Sequence, residues 1–169
     1  YQAYSRRLDD SDAAGFIRRR NADRMRLNAA ISKGNHAEAR RLIDKLNVTP
    51  MSAGEYVNYN MTVLGYAVSQ GDMRMGETAR DALNKPSIRK GIVTEAEQVY
   101  DIYFLHDTSH IGELESFAKK CRIPSGKATA YFRIAKQYYY LNDMERVKRY
   151  IDMAAEAFPD AEWIEAMEE

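Results

Sequence analysis

Apolar side chains recur along the chain at the spacing of a helix face rather than in the alternation of a strand. Within residues 131–141, Tyr131, Ile134 and Tyr138 fall on one stripe. Val, Ile and Thr form no alternating runs. Residues that favour helices, such as Ala, Arg, Glu, Met and Leu, are plentiful, whereas the chain has nine Gly and four Pro. The sequence therefore predicts an all-helical protein.

Two kinds of residue that interrupt helices return with a period near 36. Pairs typical of turns stand at Gly34-Asn35, Gly71-Asp72, His106-Asp107 and Asn142-Asp143, and their second members are 37, 35 and 36 residues apart. The prolines are 36, 38 and 35 residues apart, and they are Pro50, Pro86, Pro124 and Pro159. This period predicts a helical hairpin repeated four times, with a turn inside each hairpin and a proline after it.

The repeat divides residues 12–169 into units of about 20–51, 52–87, 92–124 and 125–159. Residues 1–11 are expected to be a flexible N-terminal segment, 160–169 a C-terminal capping helix and 86–94 a flexible loop. The remaining helices are expected over roughly 12–33, 36–46, 53–70, 73–84, 95–105, 109–121, 126–141 and 143–157.

Helix starts are marked by residues that can accept a hydrogen bond from free backbone N–H groups. Asn or Asp at the second place of each turn pair is expected to cap the second helix of the hairpin. Three pairs have the spacing of a capping box: Asn35 with Glu38, Ser52 with Glu55, and Thr94 with Glu97. Ser125 is expected to open the first helix of the fourth unit.

The fourth unit resembles the tetratricopeptide repeat, whose pattern is W-x2-L-G-x2-Y, then A-x3-F, then P. Here it reads Tyr131-x2-Ile134-Ala135-x2-Tyr138, then Val147-x3-Ile151, with Ala154 and Pro159. The earlier units match less closely, through Leu27, Ala30, Ala39, Ile43 and Leu46, then Val63, Leu64, Ala67 and Gly76, then Val99, Ile102, Ile111 and Ala118. The resemblance covers about residues 20–159. It implies a right-handed superhelical solenoid of about four antiparallel hairpins with the C-terminal cap.

The resemblance also implies a concave groove lined by one stripe of the first helices. Its predicted contacts for a partner are Arg24, Asn28, Asn58, Met61, Tyr100, Tyr103, Phe104, Phe132, Lys136, Tyr139 and Tyr140. The groove would be polar in its N-terminal half and aromatic in its C-terminal half. The alternative is that the rings pack on the next repeat or on the terminal helix 160–169.

Charge and cysteine content restrict the function classes. Twenty-five basic and 25 acidic residues give zero net charge, so the general electrostatic drive toward nucleic acid is missing. The single cysteine, Cys121, rules out an internal disulfide and fits the cytoplasm. No window approaches the roughly 20 apolar residues of a membrane span. Because the chain begins with Tyr1, we expect it to be part of a larger or processed protein, which could be anchored in a membrane.

Candidate chemistry is sparse. His106 and His110 have the spacing of a metal pair but span a predicted turn, where exposed histidines are expected. The Ser125-Gly-Lys127 run lacks the glycine and hydroxyl spacing of a phosphate loop. We therefore expect no metal, no cofactor and no catalytic activity.

These observations favour a protein-interaction scaffold or adaptor that binds a peptide or helix in its groove. The alternative is a regulatory or sensory module of a larger protein, membrane-anchored or DNA-binding, that acts through self-association or ligand sensing. A protein or peptide is the expected partner, and the chain could also form a homo-oligomer. Direct contact with nucleic acid or membrane is not expected.

Overall fold

The structure is a computed structural model that describes the backbone of residues 12–159 and the side chains from residue 21 onward. The predicted N-terminal segment 1–11 and capping helix 160–169 lie outside the described residues. Within residues 12–159 all regular structure is helical, which confirms the all-α prediction. The helices are α1 (Asp12–Ser32), α2 (His36–Asn47), α3 (Ala53–Gln70), α4 (Met73–Leu83), α5 (Lys90–Phe104), α6 (Ile111–Lys120), α7 (Pro124–Tyr140) and α8 (Met144–Ala157).

The chain divides into two compact units after Arg89. The first unit contains α1–α4 and the second contains α5–α8. The boundary falls inside the connection that the sequence predicts between its second and third hairpins. No helix in the described residues has both the length and the apolar character that crossing a bilayer requires.

All four predicted turn pairs place a residue with positive φ at the reversal, and three of them form the same hydrogen-bonded turn. The first member of each pair has a positive φ, which is 63° at Gly34, 63° at Gly71, 56° at His106 and 58° at Asn142. The following N–H donates back across the helix end, as in Asp72 to the Ala67 carbonyl at 2.9 Å. This is the left-handed helix ending that glycine and asparagine favour. In the third hairpin the Asp107 N–H donates six residues back, to the Asp101 carbonyl at 3.0 Å, so this turn is one residue longer than the other three.

Three of the four second helices begin with the predicted side-chain cap. The side chains of Asn35, Asp72 and Asp143 each accept a hydrogen bond from the N–H three residues later, at 3.0–3.2 Å. In the third hairpin, Asp107 accepts instead from the Ser109 N–H at 2.8 Å, and α6 begins at its N-cap His110 without a side-chain cap bond.

The predicted caps of the first helices are only partly right. Ser52 and Glu55 form a complete capping box at the start of α3. Thr94 is wrong as a cap, because α5 already begins at Lys90 and the packing of its partly buried first turn outweighs the local signal. Ser125 is also wrong, because α7 begins at Pro124, whose fixed φ suits the first helical position.

The Asn35 pair forms only half of a capping box. Asn35 accepts from the Glu38 N–H, but the Glu38 carboxylate receives two hydrogen bonds from Arg41 at 2.6 and 2.7 Å. The acid therefore does not reach back to the cap residue. A charge-assisted pair on the exposed helix surface has replaced the second bond of the box.

The first unit is built from two closely packed helix pairs, α1 with α2 and α3 with α4. The core residues predicted for these hairpins are all buried, including Leu64 and Ala67, which have no exposed area. Small residues such as Gly76 and Ala79 lie buried on α4. The Tyr59 hydroxyl donates to the Ile43 carbonyl at 2.9 Å and so ties α3 to α2, and burial raises the pKa of Tyr59 to about 12.

The second unit is packed less evenly. The helix α7 packs closely on α6 and on α8, whereas α5 and α6 do not approach each other closely along their lengths. One core cluster joins the four helices and consists of Ile102, Leu114, Ala118, Ala130, Ile134, Ala135, Tyr138, Val147 and Tyr150. The third hairpin, which departs most from the repeat pattern in sequence, is thus the one whose helices are splayed.

Candidate functional site

In the first unit, the predicted groove residues come together at one open cavity of about 370 Å³. Arg24 and Asn28 extend from α1, and Asn58 and Met61 extend from α3. Both asparagines are exposed, so their amides can meet a partner. The Arg24 side chain is 25% exposed and lies 3.4 Å from a Glu55 carboxylate oxygen, which partly neutralises its charge.

In the second unit, four side chains form a surface group that we call the aromatic cluster, made of His106, Lys136, Tyr139 and Tyr140. The His106 ring stacks on Tyr140 with the centroids 4.2 Å apart. The Lys136 ammonium lies 4.9 Å from the Tyr139 ring centre and 5.3 Å from that of Tyr140. Tyr139 remains 55% exposed, so one ring of the predicted groove is open to a partner.

The other predicted rings are less accessible. Tyr100 is only 5% exposed and packs on Phe104 with the centroids 5.3 Å apart, so its assignment as a groove contact is wrong. It sits beside the core because α5 buries this face. Phe104 and Phe132 are partly buried. Tyr103 packs against the core cluster, and burial raises the pKa of its hydroxyl to about 12.

The two histidines of the third turn have different surroundings. His106 is exposed, as expected, whereas the His110 side chain is only 18% exposed, so its assignment as an exposed turn residue is wrong. The His110 Nε2 atom lies 3.3 Å from Asp101 and 3.8 Å from Asp107. Hydrogen bonds from Ser109 hold the pKa of Asp107 below its usual range.

This group of one imidazole and two carboxylates offers three ligand atoms within 4.8 Å of one another and could hold a divalent cation. The sequence reasoning paired His110 with His106 and missed the two acids. The signal that could have found them is the turn itself, since a chain that reverses at His106 brings Asp101 back toward His110.

Sequence reasoning also missed a cavity of about 580 Å³ between α5, α6 and α7. Its lining includes Gln98, which is 7% exposed, and Arg133, which forms an ion pair with Glu95 at 3.0 Å. No motif marks this site. The only signal was the poor fit of the third hairpin to the repeat.

A comparison with known proteins gives no relative: the chain matches no family model, no curated protein and no solved structure among those searched.

Proposed function

We propose that the chain is a non-catalytic protein-interaction module, and that a peptide segment of its partner binds across the first helices of its hairpins. The supporting observation is the convergence of Arg24, Asn28, Asn58 and Met61 on one open cavity in the first unit. Primary amides both donate and accept hydrogen bonds, so the two asparagines suit the alternating N–H and C=O groups of an extended peptide.

The electrostatics of this cavity favour a partner without strong net charge. The Arg24 guanidinium is already paired with Glu55 at 3.4 Å. A highly acidic peptide would have to compete with that carboxylate for the cation, and a highly basic one would meet the cation itself. Backbone hydrogen bonding and contact with Met61 are therefore the main sources of affinity in this proposal.

The test uses peptides selected from a random library for binding to the 169-residue chain. The double variant Asn28→Ala/Asn58→Ala should weaken the selected peptides at least tenfold in fluorescence anisotropy, because two amide contacts are removed. The control is Asn21→Ala, an exposed asparagine on the same helix α1. Equal affinity of all three proteins, or failure to select any peptide, would reject the proposal.

We further propose that the four hairpins are repeats of the tetratricopeptide type in a right-handed solenoid. The support is the recurrence of one positive-φ turn at the sequence period and the burial of Ala135 and Ala154, the small residues of the fourth unit. A cytoplasmic location belongs to the same proposal, and it rests on the single cysteine.

The second candidate function is a regulatory or sensory module that responds to a ligand. It is favoured by the cavity between α5, α6 and α7, which is larger than the cavity lined by Arg24 and Asn28 in the first unit. Self-association or attachment to a DNA-binding or membrane-anchored partner domain would carry the response. Sedimentation of the chain with and without ligand distinguishes this candidate, since only a sensor that acts through self-association changes its mass.

A further inference from the structure

The cavity between α5, α6 and α7 exists because the two helices of the third hairpin are splayed. Its volume of about 580 Å³ lies in the range typical of small-molecule sites, roughly 300–1,000 Å³. It is lined by residues of all three helices, so it is an internal feature of the second unit. The site is separate from the peptide cavity proposed in the first unit.

One buried side chain in this cavity has no hydrogen bond to the rest of the described protein. Gln98 is 7% exposed and lines the cavity, and none of the described residues donates to or accepts from its amide. A buried amide without a partner is costly, so native proteins almost always pair it. The amide of Gln98 is therefore available to a molecule that enters the cavity.

A second buried glutamine in the same unit shows the usual arrangement. Gln137 has no exposed area, accepts a hydrogen bond from the His110 N–H at 3.1 Å, and donates to the Arg133 carbonyl at 3.2 Å. Both ends of its amide are satisfied within the protein. Burial of an unpaired amide is thus specific to Gln98 and not a general feature of this core.

The charges around the cavity cancel. Arg133 is 13% exposed and committed to Glu95, while Lys90 and Glu113 supply one further charge of each sign. A charged ligand would meet charges of both signs here, so no net electrostatic attraction favours it over a neutral ligand. The remaining walls include the apolar side chains Leu114, Phe117 and Ala130.

We propose that this cavity binds a small neutral molecule whose planar edge carries a hydrogen-bond donor beside an acceptor, as in a carboxamide or a lactam. The edge pairs with the Gln98 amide, which has the same two groups in the opposite order. The apolar body of the ligand packs against Leu114, Phe117 and Ala130. The cavity thus selects ligands that are neutral and can form both hydrogen bonds with Gln98. Hydrocarbons and carboxylates of the same size do not meet both conditions and are expected not to bind.

The experiment uses the full 169-residue chain and four probes of similar size. Benzamide carries a carboxamide edge and 2-pyridone a lactam edge, whereas toluene has no polar group and benzoate is charged. Saturation-transfer NMR measures binding, and intermolecular NOEs to the methyl groups of Leu114 and Ala130 locate the probe. Binding of benzamide, of 2-pyridone or of both at these methyls is expected, and whichever binds identifies the edge chemistry.

The variant Gln98→Leu keeps the volume of the side chain and removes both hydrogen-bonding groups. It should weaken the affinity for the bound probe at least tenfold, while the matched control Gln70→Leu, a partly buried glutamine of the first unit, should leave binding unchanged.

The proposal would be overturned if toluene or benzoate bound as well as benzamide, or if Gln98→Leu bound the probe with unchanged affinity. If that variant does not fold, absence of NOEs to Leu114 and Ala130 in the unmutated chain overturns it instead. Peptide binding by Asn28→Ala/Asn58→Ala tests only the proposed peptide site, and its outcome does not affect the test of this cavity.

Discussion

The second and third hairpins both reverse at a residue with positive φ but differ in how their helices pack. Gly71 and His106 both have φ near 60°, yet α3 and α4 run close together while α5 and α6 do not. The closely packed pair buries small residues, such as Ala67 and Gly76, at its interface. Both pairs bury tyrosine rings, Tyr59 and Tyr66 on α3 and Tyr100 on α5. The residue with positive φ therefore sets where the chain reverses, but it does not by itself set how closely the two helices approach.

The largest expected difference in stability is between two variants that each replace one buried alanine by leucine, one in the closely packed second hairpin and one beside the cavity. Ala67 has no exposed area and lines none of the cavities described above, whereas Ala130 is 2% exposed but faces the cavity beside α5. Ala67→Leu should lower the free energy of unfolding by about 3 kcal/mol through overpacking, and Ala130→Leu by less than about 1 kcal/mol. Urea unfolding of both variants measures the difference, and equal losses would mean that the cavity is not open.

The next contrast compares the two buried glutamines. Gln137→Leu leaves the His110 N–H without its partner and should cost about 1–3 kcal/mol. Gln98→Leu removes a side chain that has no hydrogen bond in the described protein, so stability should stay the same or rise. Both values come from the same chemical unfolding experiment. A comparable loss in the two variants would show that Gln98 has a structural partner.

A smaller contrast concerns the turn position itself. A Cβ added at Gly71 meets no neighbouring atom, so Gly71→Ala isolates the cost of a left-handed backbone and should lower stability by about 1 kcal/mol. His106→Gly relieves the same backbone cost but loses the stack on Tyr140, so it should change stability by less than about 0.5 kcal/mol. Thermal unfolding of the two variants measures both changes in stability. A large loss in His106→Gly would mean that the aromatic cluster stabilises the second unit.

The smallest expected effect is a pH dependence in the first unit. A hydrogen bond from Lys45, at 2.6 Å, holds the pKa of the buried Asp23 below its ordinary value of 3.8. The stabilisation is therefore fully present above pH 3.8 and is lost as the pH falls through the lower folded-state pKa. Asp23→Asn should be less stable than the unmutated chain at pH 6, and the gap should narrow at pH 2. A gap that stays constant with pH would contradict the assignment.

The sequence was most informative where local chemistry decides the structure. The turn pairs and prolines located the hairpins because a left-handed residue and a missing N–H act on their immediate neighbours. The predicted helix caps at Thr94 and Ser125 were wrong. The packing of the first turn of α5 outweighed the cap at Thr94, and Pro124 opens α7 in place of Ser125. The helical spacing placed Tyr138 in the core correctly, but it assigned Tyr100 to the groove, whereas α5 buries Tyr100 together with the predicted core residues Val99 and Ile102.

The candidate sites were predictable to different degrees. Helical spacing alone places Arg24, Asn28, Asn58 and Met61 on one stripe of the first helices, and these residues line one cavity. The cavity around Gln98 and the contacts of His110 with Asp101 depend on how far α5 lies from α6 and on the path of the connecting turn. Those distances result from the volumes of many side chains together, and no short pattern encodes them.

The central claim is that the splayed hairpin leaves a binding cavity and not a packing defect. Its most direct test is thermal unfolding of the unmutated chain and of Gln98→Leu, each without and with benzamide. We expect Gln98→Leu to melt at the same temperature as the unmutated chain or higher, and benzamide to raise the melting temperature of the unmutated chain alone. A variant that melts lower and still gains the same shift from benzamide would contradict it.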